Sequence, residues 1–203
     1  ALILSTRRLL EILAAIRAKL PWVERVSCYG DTRSVLKKSK EDLKALQKAG
    51  LGMVYHGVES GSDAVLERIV KGGTREEVIA TADRLREAGI QHSVILLLGI
   101  GGTELSTLHA EETASLLSAI DPPYVGVLTT TVIPGTPLHT SEQNGAFKLP
   151  GKFEMLRELR TIVGESELSH CRFSSNHASN YLPMRSTLPA DKSTILQLSL
   201  IHI

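Results

Sequence analysis

The stretch Tyr55-His56-Gly57-Val58-Glu59-Ser60-Gly61-Ser62-Asp63 decides the fold, because a buried strand ends within it and a helix begins at its end. Its first half is rich in β-forming residues and follows a glycine, which predicts a strand. Two glycines then interrupt the run, and Ser62 or Asp63 can cap the following helix. Glu59 is therefore predicted at the carboxyl end of a parallel strand, where βα barrels and open α/β sheets bind ligands. A carboxylate at such a position typically accepts hydrogen bonds from ribose hydroxyls.

The rest of the chain alternates between helical and strand patterns. Apolar spacing and capping residues predict helices over residues 6–20, 40–49, 74–88, 104–119 and 153–164. Alternating or continuous apolar runs predict strands over residues 23–29, 53–58, 91–98 and 124–133. Gly30-Asp31-Thr32 is predicted to be a turn, and residues 170–189 an irregular polar segment. Strict alternation of helix and strand predicts an α/β fold with a parallel sheet or barrel.

Composition excludes several classes of protein. The 203 residues carry a net charge of +1 and are 42% hydrophobic, so one sizeable core can form and no basic nucleic-acid surface is evident. The longest apolar run, Val94 to Ile100, has the length of a strand and is too short to cross a membrane. Two cysteines, Cys28 and Cys171, are too few for a disulfide framework or a metal cluster and favour a reducing, cytoplasmic location.

The pattern G-V-E-S-G-S-D-x-V-L-x-x-I-x-K-G, which begins at Gly57, resembles the fourth-strand signature of radical S-adenosylmethionine (SAM) enzymes. The resemblance is closest to the branch that contains oxygen-independent coproporphyrinogen oxidase. It implies that Glu59 faces the SAM ribose and that Lys71, twelve positions later, pairs with the SAM carboxylate. It also implies a partial (βα)6 TIM-like barrel of parallel strands that lacks its N-terminal strands. By this alignment the chain starts at the helix after strand two and holds strands three to six.

The same resemblance implies the cofactors and the reaction. Radical SAM enzymes hold a [4Fe-4S] cluster on a C-x3-C-x2-C motif and cleave SAM reductively to a 5′-deoxyadenosyl radical. That motif is absent from the 203 residues, so its ligands are expected upstream, with no metal ligand in this chain. A reductant such as flavodoxin or ferredoxin is expected from the family. The substrate, a small molecule or a tRNA, is not identified by the sequence.

Further site residues follow from the resemblance and from the loops at strand ends. Around the cofactor we expect, besides Glu59 and Lys71, a set of residues from four loops: Ser60, Tyr29, Leu97, Gly99, Gly101 and Pro134. Three polar residues are candidates for substrate binding: His109, Asn176 and His177. All of these candidates, for the cofactor and for the substrate, also have a purely structural interpretation. Examples are an acid near a helix N-terminus, a solvated lysine, a packed histidine and a rigid turn. No catalytic residue is assigned.

The two ends of the chain predict a fragment of a longer protein. The sequence begins at Ala1 without a methionine and enters a helix within a few residues. Residues 1–190 are assigned to the barrel and 191–197 to a tail. Residues 198–203 have the pattern of a translated sequencing adapter and are interpreted as an artefact. The fragment alone is expected to be inactive.

Two alternatives remain open. One is another TIM-barrel enzyme, such as an aldolase-like protein with a Schiff-base lysine, although no predicted strand ends in lysine. The other is a non-catalytic barrel that binds a nucleotide.

Overall fold

A six-stranded sheet forms the centre of the fold in the computed structural model, which describes residues 2–201. In chain order, the strands are β1 (Val26–Gly30), β2 (Leu51–Glu59), β3 (Gln91–Leu98), β4 (Tyr124–Thr129), β5 (Cys171–Ser174) and β6 (Arg185–Leu188). They are adjacent in that same order, with β1 to β5 parallel and β6 antiparallel to β5. The predicted α/β class with a mostly parallel sheet is confirmed.

Helices connect the strands. They are α1 (Thr6–Lys19), α2 (Thr32–Leu36), α3 (Lys40–Lys48), α4 (Asp63–Arg68), α5 (Arg75–Ala88), α6 (Gly102–Ile120), α7 (Pro137–Gln143), α8 (Lys152–Glu165) and α9 (Lys192–Ile201). The helix predicted after Ser62 or Asp63 is α4. The other five predicted helices correspond to α1, α3, α5, α6 and α8, with ends within about two residues. Capping boxes start α3 at Ser39 and α5 at Thr74: each N-cap hydroxyl accepts a hydrogen bond from an amide three residues on, and the acid at that position accepts one from the N-cap amide. No helix within residues 2–201 has the length and hydropathy needed to cross a membrane.

Four sequence predictions are wrong. Residues 170–189 contain β5 and β6, four residues each, which are too short for a periodic pattern and are held by pairing with each other and with β4. Thr32 opens α2 instead of ending a turn, because Asp31 caps that helix through the Ser34 amide. The first predicted strand starts three residues later, at Val26, and the last ends four residues earlier, at Thr129.

The assignment of residues 191–197 to a tail and of residues 198–203 to an artefact stays a prediction. Most of the predicted tail lies in α9, which runs from Lys192 to Ile201. His202 and Ile203, within the segment interpreted as adapter-derived, lie outside the described residues.

The two faces of the sheet differ in burial. On the outer face, Val94, Leu96 and Leu98 of β3 are at most 3% exposed and lie in the main core with residues of α5, α6 and α8. On the inner face, Ile95 and Leu97 of the same strand are only half-buried. This alternation places the helices on one side of the sheet and leaves the inner face open to a ligand.

Candidate functional site

The strongest candidate site lies at the carboxyl end of β2, where Glu59 leaves the sheet. The β2–β3 register shifts between Gly57 and Glu59, so one extra residue is inserted and the strand bulges. Glu59 itself has φ of 67°, a left-handed conformation that is uncommon outside glycine. Such a conformation is costly and is found most often at functional sites. Because of the bulge, the Glu59 side chain does not follow the regular alternation of side chains along β2.

Lys71 meets Glu59 at this position. Its Nζ lies 2.6 Å from Glu59 Oε1, and the side chains are 31% and 15% exposed, respectively. The loop between α4 and α5 brings Lys71 here through two left-handed glycines, Gly72 and Gly73, that follow it. A partly buried carboxylate and ammonium are thus held together at the rim of the inner face.

Gly57 makes room for this ion pair. A Cβ atom at Gly57 would lie 2.4 Å from Glu59 Oε1 and 3.2 Å from Lys71 Nζ, so any side chain there would displace the pair. A cavity of about 260 Å³ lies alongside and is lined in part by Tyr29, Asp31, Tyr55, Gly57 and Lys71. The Tyr29 and Tyr55 rings are 5.6 Å apart at their centroids and form an aromatic wall of this cavity.

The turn after Glu59 is fastened to α6. The Ser60 hydroxyl contacts His109 Nδ1 at 2.8 Å and accepts a hydrogen bond from the Ser62 amide, while the Gly61 amide donates to Thr113 Oγ1 at 2.9 Å. Ser60 and His109 are wholly buried. Burial lowers the pKa of His109 to about 4, so its ring is neutral at pH 7. These contacts fix the backbone that carries Glu59.

A second loop, Gly99 to Gly102, is held by a buried carboxylate of α8. Glu158 of α8 is 2% exposed and accepts hydrogen bonds from the Gly99 amide at 2.7 Å and the Ser106 hydroxyl at 2.6 Å. Burial raises the pKa of Glu158 to about 7, although both hydrogen bonds favour the charged form. Arg68 holds the same loop from the other side by donating to the Gly101 carbonyl and pairing with Glu104.

Glu158 makes a testable contribution to the pH dependence of stability. Since its folded-state pKa exceeds its ordinary value of 4.5, the folded protein binds the proton more tightly than the unfolded chain. The free energy of unfolding should therefore lose roughly 3 kcal/mol from this group as the pH rises from about 4.5 to about 7. In urea unfolding, the difference in unfolding free energy between wild type and Glu158→Gln should change by this amount between acidic and mildly alkaline pH, because all other titrating groups are common to the two proteins. Glu165→Gln, an exposed site on the same helix, is the matched control; an equal pH slope in all three proteins would contradict the assignment.

A sequence model of the radical SAM superfamily matches residues 7–114, just over half of the chain. The chain belongs to the radical SAM superfamily. Over 133 residues it is 29% identical to the heme chaperone HemW of Bacillus subtilis (strain 168), a match that covers 65% of this chain and 34% of HemW. The chain thus spans about a third of that relative.

Two solved structures share the fold of this chain. Coproporphyrinogen III oxidase (HemN) from Escherichia coli matches with a TM-score of 0.59 at 17% identity, over 80% of this chain and 37% of HemN. An archaeal Elp3 from Methanocaldococcus infernus also matches with a TM-score of 0.59 at 17% identity, over 88% of this chain and 41% of that chain. The predicted superfamily and the partial TIM-like barrel are confirmed, while the coproporphyrinogen oxidase-like branch stays a prediction.

Radical SAM enzymes work with SAM and an iron–sulfur cluster, and the cysteines described here do not fit such a cluster. Cys28 is half-buried on β1 and Cys171 is buried on β5, with β2, β3 and β4 between them. Burial raises the pKa of Cys171 to about 12, which opposes the thiolate form that ligates iron. Within residues 2–201, no three His, Cys, Asp or Glu side chains are grouped to hold a metal ion.

The other residues expected around the radical SAM cofactor lie at the same edge but differ in exposure. Tyr29 is 72% exposed, Leu97 is half-buried on the inner face and Pro134 is exposed in the loop after β4. Gly99 and Gly101 are buried, with the Gly99 amide already donated to Glu158 and the Gly101 carbonyl accepting from Arg68. Their roles toward a cofactor stay predictions, as does that of Ser60.

The three candidate substrate residues are not brought together. His109 is buried behind the Ser60 turn, whereas Asn176 and His177 are exposed in the loop after β5. That loop is anchored by Asn180, whose Nδ2 donates to the Val127 and Ser175 carbonyls. Substrate contacts of these residues stay predictions.

Sequence reasoning missed two buried groups. Glu158 carried a signal, because it shares the apolar stripe of α8 with Met155, Leu159 and Ile162. The other is the His56–His92 pair on the outer face, with 3.0 Å between His56 Nδ1 and His92 Nε2. His56 Nε2 also lies 3.0 Å from Thr32 Oγ1. Two histidines on neighbouring strands give no sequence signal of contact until the strand register is known.

Proposed function

We propose that this chain is the SAM-binding part of a radical SAM enzyme and that the Glu59–Lys71 site binds SAM. The 2.6 Å ion pair at the rim of the open inner face carries the proposal. Glu59 offers its second carboxylate oxygen, which has no hydrogen-bond partner among residues 2–201, to the ribose hydroxyls. Lys71 supplies a positive charge for the carboxylate of SAM.

The neighbouring residues suit the remaining parts of the ligand. Leu97 presents an apolar surface on the inner face for the adenine, and Tyr29 flanks the cavity beside Lys71. Bound SAM, with a [4Fe-4S] cluster held by cysteines outside residues 2–201, would supply the 5′-deoxyadenosyl radical after one-electron reduction by a flavodoxin or ferredoxin. The 203-residue chain alone would bind ligand without turnover, and its substrate, a small molecule or a tRNA, is unassigned.

Replacing Glu59 tests this proposal. The chain is titrated with S-adenosylhomocysteine, a stable SAM analogue, by isothermal titration calorimetry. Glu59→Gln keeps the side-chain size but removes the charge, and it should weaken binding at least about tenfold, as loss of a charge-assisted hydrogen-bonding group does. Glu87→Gln is the matched control, because Glu87 forms a surface ion pair with Lys40, 2.7 Å long, on the helical side. Equal dissociation constants for Glu59→Gln and wild type, with unchanged thermal unfolding, would exclude Glu59 as a ribose ligand.

Heme binding is a second candidate, favoured by the 29% identity to a protein named as a heme chaperone. A Soret band that is shifted and sharpened relative to free hemin, when stoichiometric hemin is added to the chain, would support it. Hemin that stays in its free form would exclude it.

A further inference from the structure

The largest cavity described lies on the inner face, away from the Glu59–Lys71 rim. It has a volume of about 600 Å³, within the usual range for small-molecule sites. It is lined by residues of β2 to β6, among them Tyr55, Ile95, Tyr124, Arg172 and Arg185. Neither arginine was singled out from the sequence.

The strand register places both arginines on one face of the sheet. In the antiparallel β5–β6 pair, Arg172 is opposite Thr187 and Ser174 is opposite Arg185. Directly opposed residues share a face, so Arg172 and Arg185 are diagonal neighbours with α-carbons about 7–8 Å apart. Positive side chains on neighbouring positions of one face repel each other, and an anion bound between them would relieve that repulsion.

Neither guanidinium has a carboxylate partner within residues 2–201. Arg172 lies 6.0 Å from the centre of the Tyr124 ring, and no ion pair involves either arginine. Asp191 is the acidic residue of the cavity wall, and its Oδ2 already accepts the Thr187 amide at 2.7 Å. The cavity thus carries two arginines against one engaged carboxylate and has a positive field.

The other residues that line the cavity suit a molecule that carries an anionic group on an apolar part. Ser174 and Thr187 add hydroxyl groups on the same face as the arginines, and the Tyr55 and Tyr124 rings with Ile95 offer apolar contact area. Paired arginines bind carboxylate and phosphate groups through parallel N–H donors. Tyr55 also lines the cavity beside Lys71, so the two cavities adjoin on the inner face.

We propose that Arg172 and Arg185 form an anion-binding subsite for the substrate, which carries a carboxylate or phosphate group. The assignment as a substrate subsite rests on the proposed SAM site next to it. The anion is held at the β5–β6 end of the inner face, and the rest of the molecule extends along Tyr55 toward Glu59.

Two probe anions test the subsite in the intact chain. Inorganic phosphate and succinate are each titrated at low ionic strength and followed by calorimetry or by NMR of the arginine side chains. Binding of phosphate alone indicates a phosphate ester as substrate, and binding of succinate indicates a carboxylic acid; either supports the proposal if it depends on the arginines. Arg172→Gln and Arg185→Gln should each weaken binding about tenfold, and the double variant should abolish it. Arg185→Lys, which keeps the charge but loses the planar fork, should bind with intermediate affinity.

Controls separate this subsite from charge effects and from the SAM site. Arg7→Gln removes one positive charge from a side chain that is 90% exposed on α1, and it should leave anion binding unchanged. The arginine variants should keep wild-type affinity for S-adenosylhomocysteine, and Glu59→Gln should keep anion binding, so failure of one proposal is distinct from failure of the other. No binding of either probe at millimolar concentration, or binding that survives in the double variant, would overturn the proposal.

Discussion

Replacing Gly61 with alanine is expected to destabilise the fold by about 3 kcal/mol or more, at the upper end of what overpacking costs. A Cβ atom there would lie 2.4 Å from the Glu112 carbonyl oxygen and 2.6 Å from Thr113 Cα. Both are backbone atoms of α6 and cannot rotate away, so the turn and the helix must separate. The Gly61–Thr113 hydrogen bond, 2.9 Å long, would be lost with that movement.

Gly164→Ala is the matched control for this substitution. Its Cβ atom would meet only the end of the flexible Leu196 side chain, at 3.4 Å, and alanine favours the α8 helix by about 0.5–1 kcal/mol. Urea unfolding of the two variants measures the contrast directly. Because Glu59 precedes this turn, Gly61→Ala should also weaken S-adenosylhomocysteine binding under conditions where it is still folded. Stability of Gly61→Ala within about 1 kcal/mol of wild type would show that the turn tolerates displacement.

Acid is expected to destabilise the protein as the pH falls below about 6.5, before most carboxylates become protonated. Burial lowers the pKa of His56 to about 4, of His92 to about 3 and of His109 to about 4, all from an ordinary value near 6.5. Below about pH 6.5 these histidines therefore bind protons in the unfolded chain but not in the folded protein. The free energy of unfolding falls as the pH drops from about 6.5 to about 4. His109 alone accounts for roughly 3 kcal/mol, a large part of the stability of an ordinary domain. The Glu158 contribution has the opposite sign over part of this range and is outweighed by three imidazoles.

Urea midpoints measured at neutral pH and at about pH 5 test the acid effect. His92→Phe is informative, because His92 Nδ1 is buried without a hydrogen-bond partner among the described residues and the substitution removes a titrating group. This variant should show a shallower loss of stability with acid. His170→Gln, at an exposed position, should follow wild type. An unchanged pH slope in His92→Phe would mean that its imidazole does not resist protonation.

The sequence was most predictive where backbone chemistry is local. The run from Tyr55 to Asp63 predicted the strand, the turn and a carboxylate at the strand end, because glycines and caps act on their immediate neighbours. The starts of α3 and α5 were predicted to within one residue for the same reason. Glu59 and Lys71 were singled out by a family pattern, and their 2.6 Å contact is consistent with that pattern.

Features that depend on strand register were not predictable. Arg172 and Arg185 share a face only because β5 and β6 pair antiparallel with a specific register, and each strand is too short to show a period of its own. The His56–His92 contact likewise needs the parallel register of β2 and β3. Glu158 could have been suspected from its place on an apolar helix stripe, but its partners, Gly99 and Ser106, lie more than fifty residues away in sequence.

The alternation along each strand has a consequence for how such a protein can change over evolution. One set of alternating strand positions, exemplified by Val94 and Leu96, forms the hydrophobic core. The intervening set, exemplified by Ile95 and Arg172, contributes little to that core. Mutations in the second set should change the free energy of unfolding only slightly. A library restricted to those positions should yield mostly folded proteins, whereas one restricted to the first set should yield mostly aggregates.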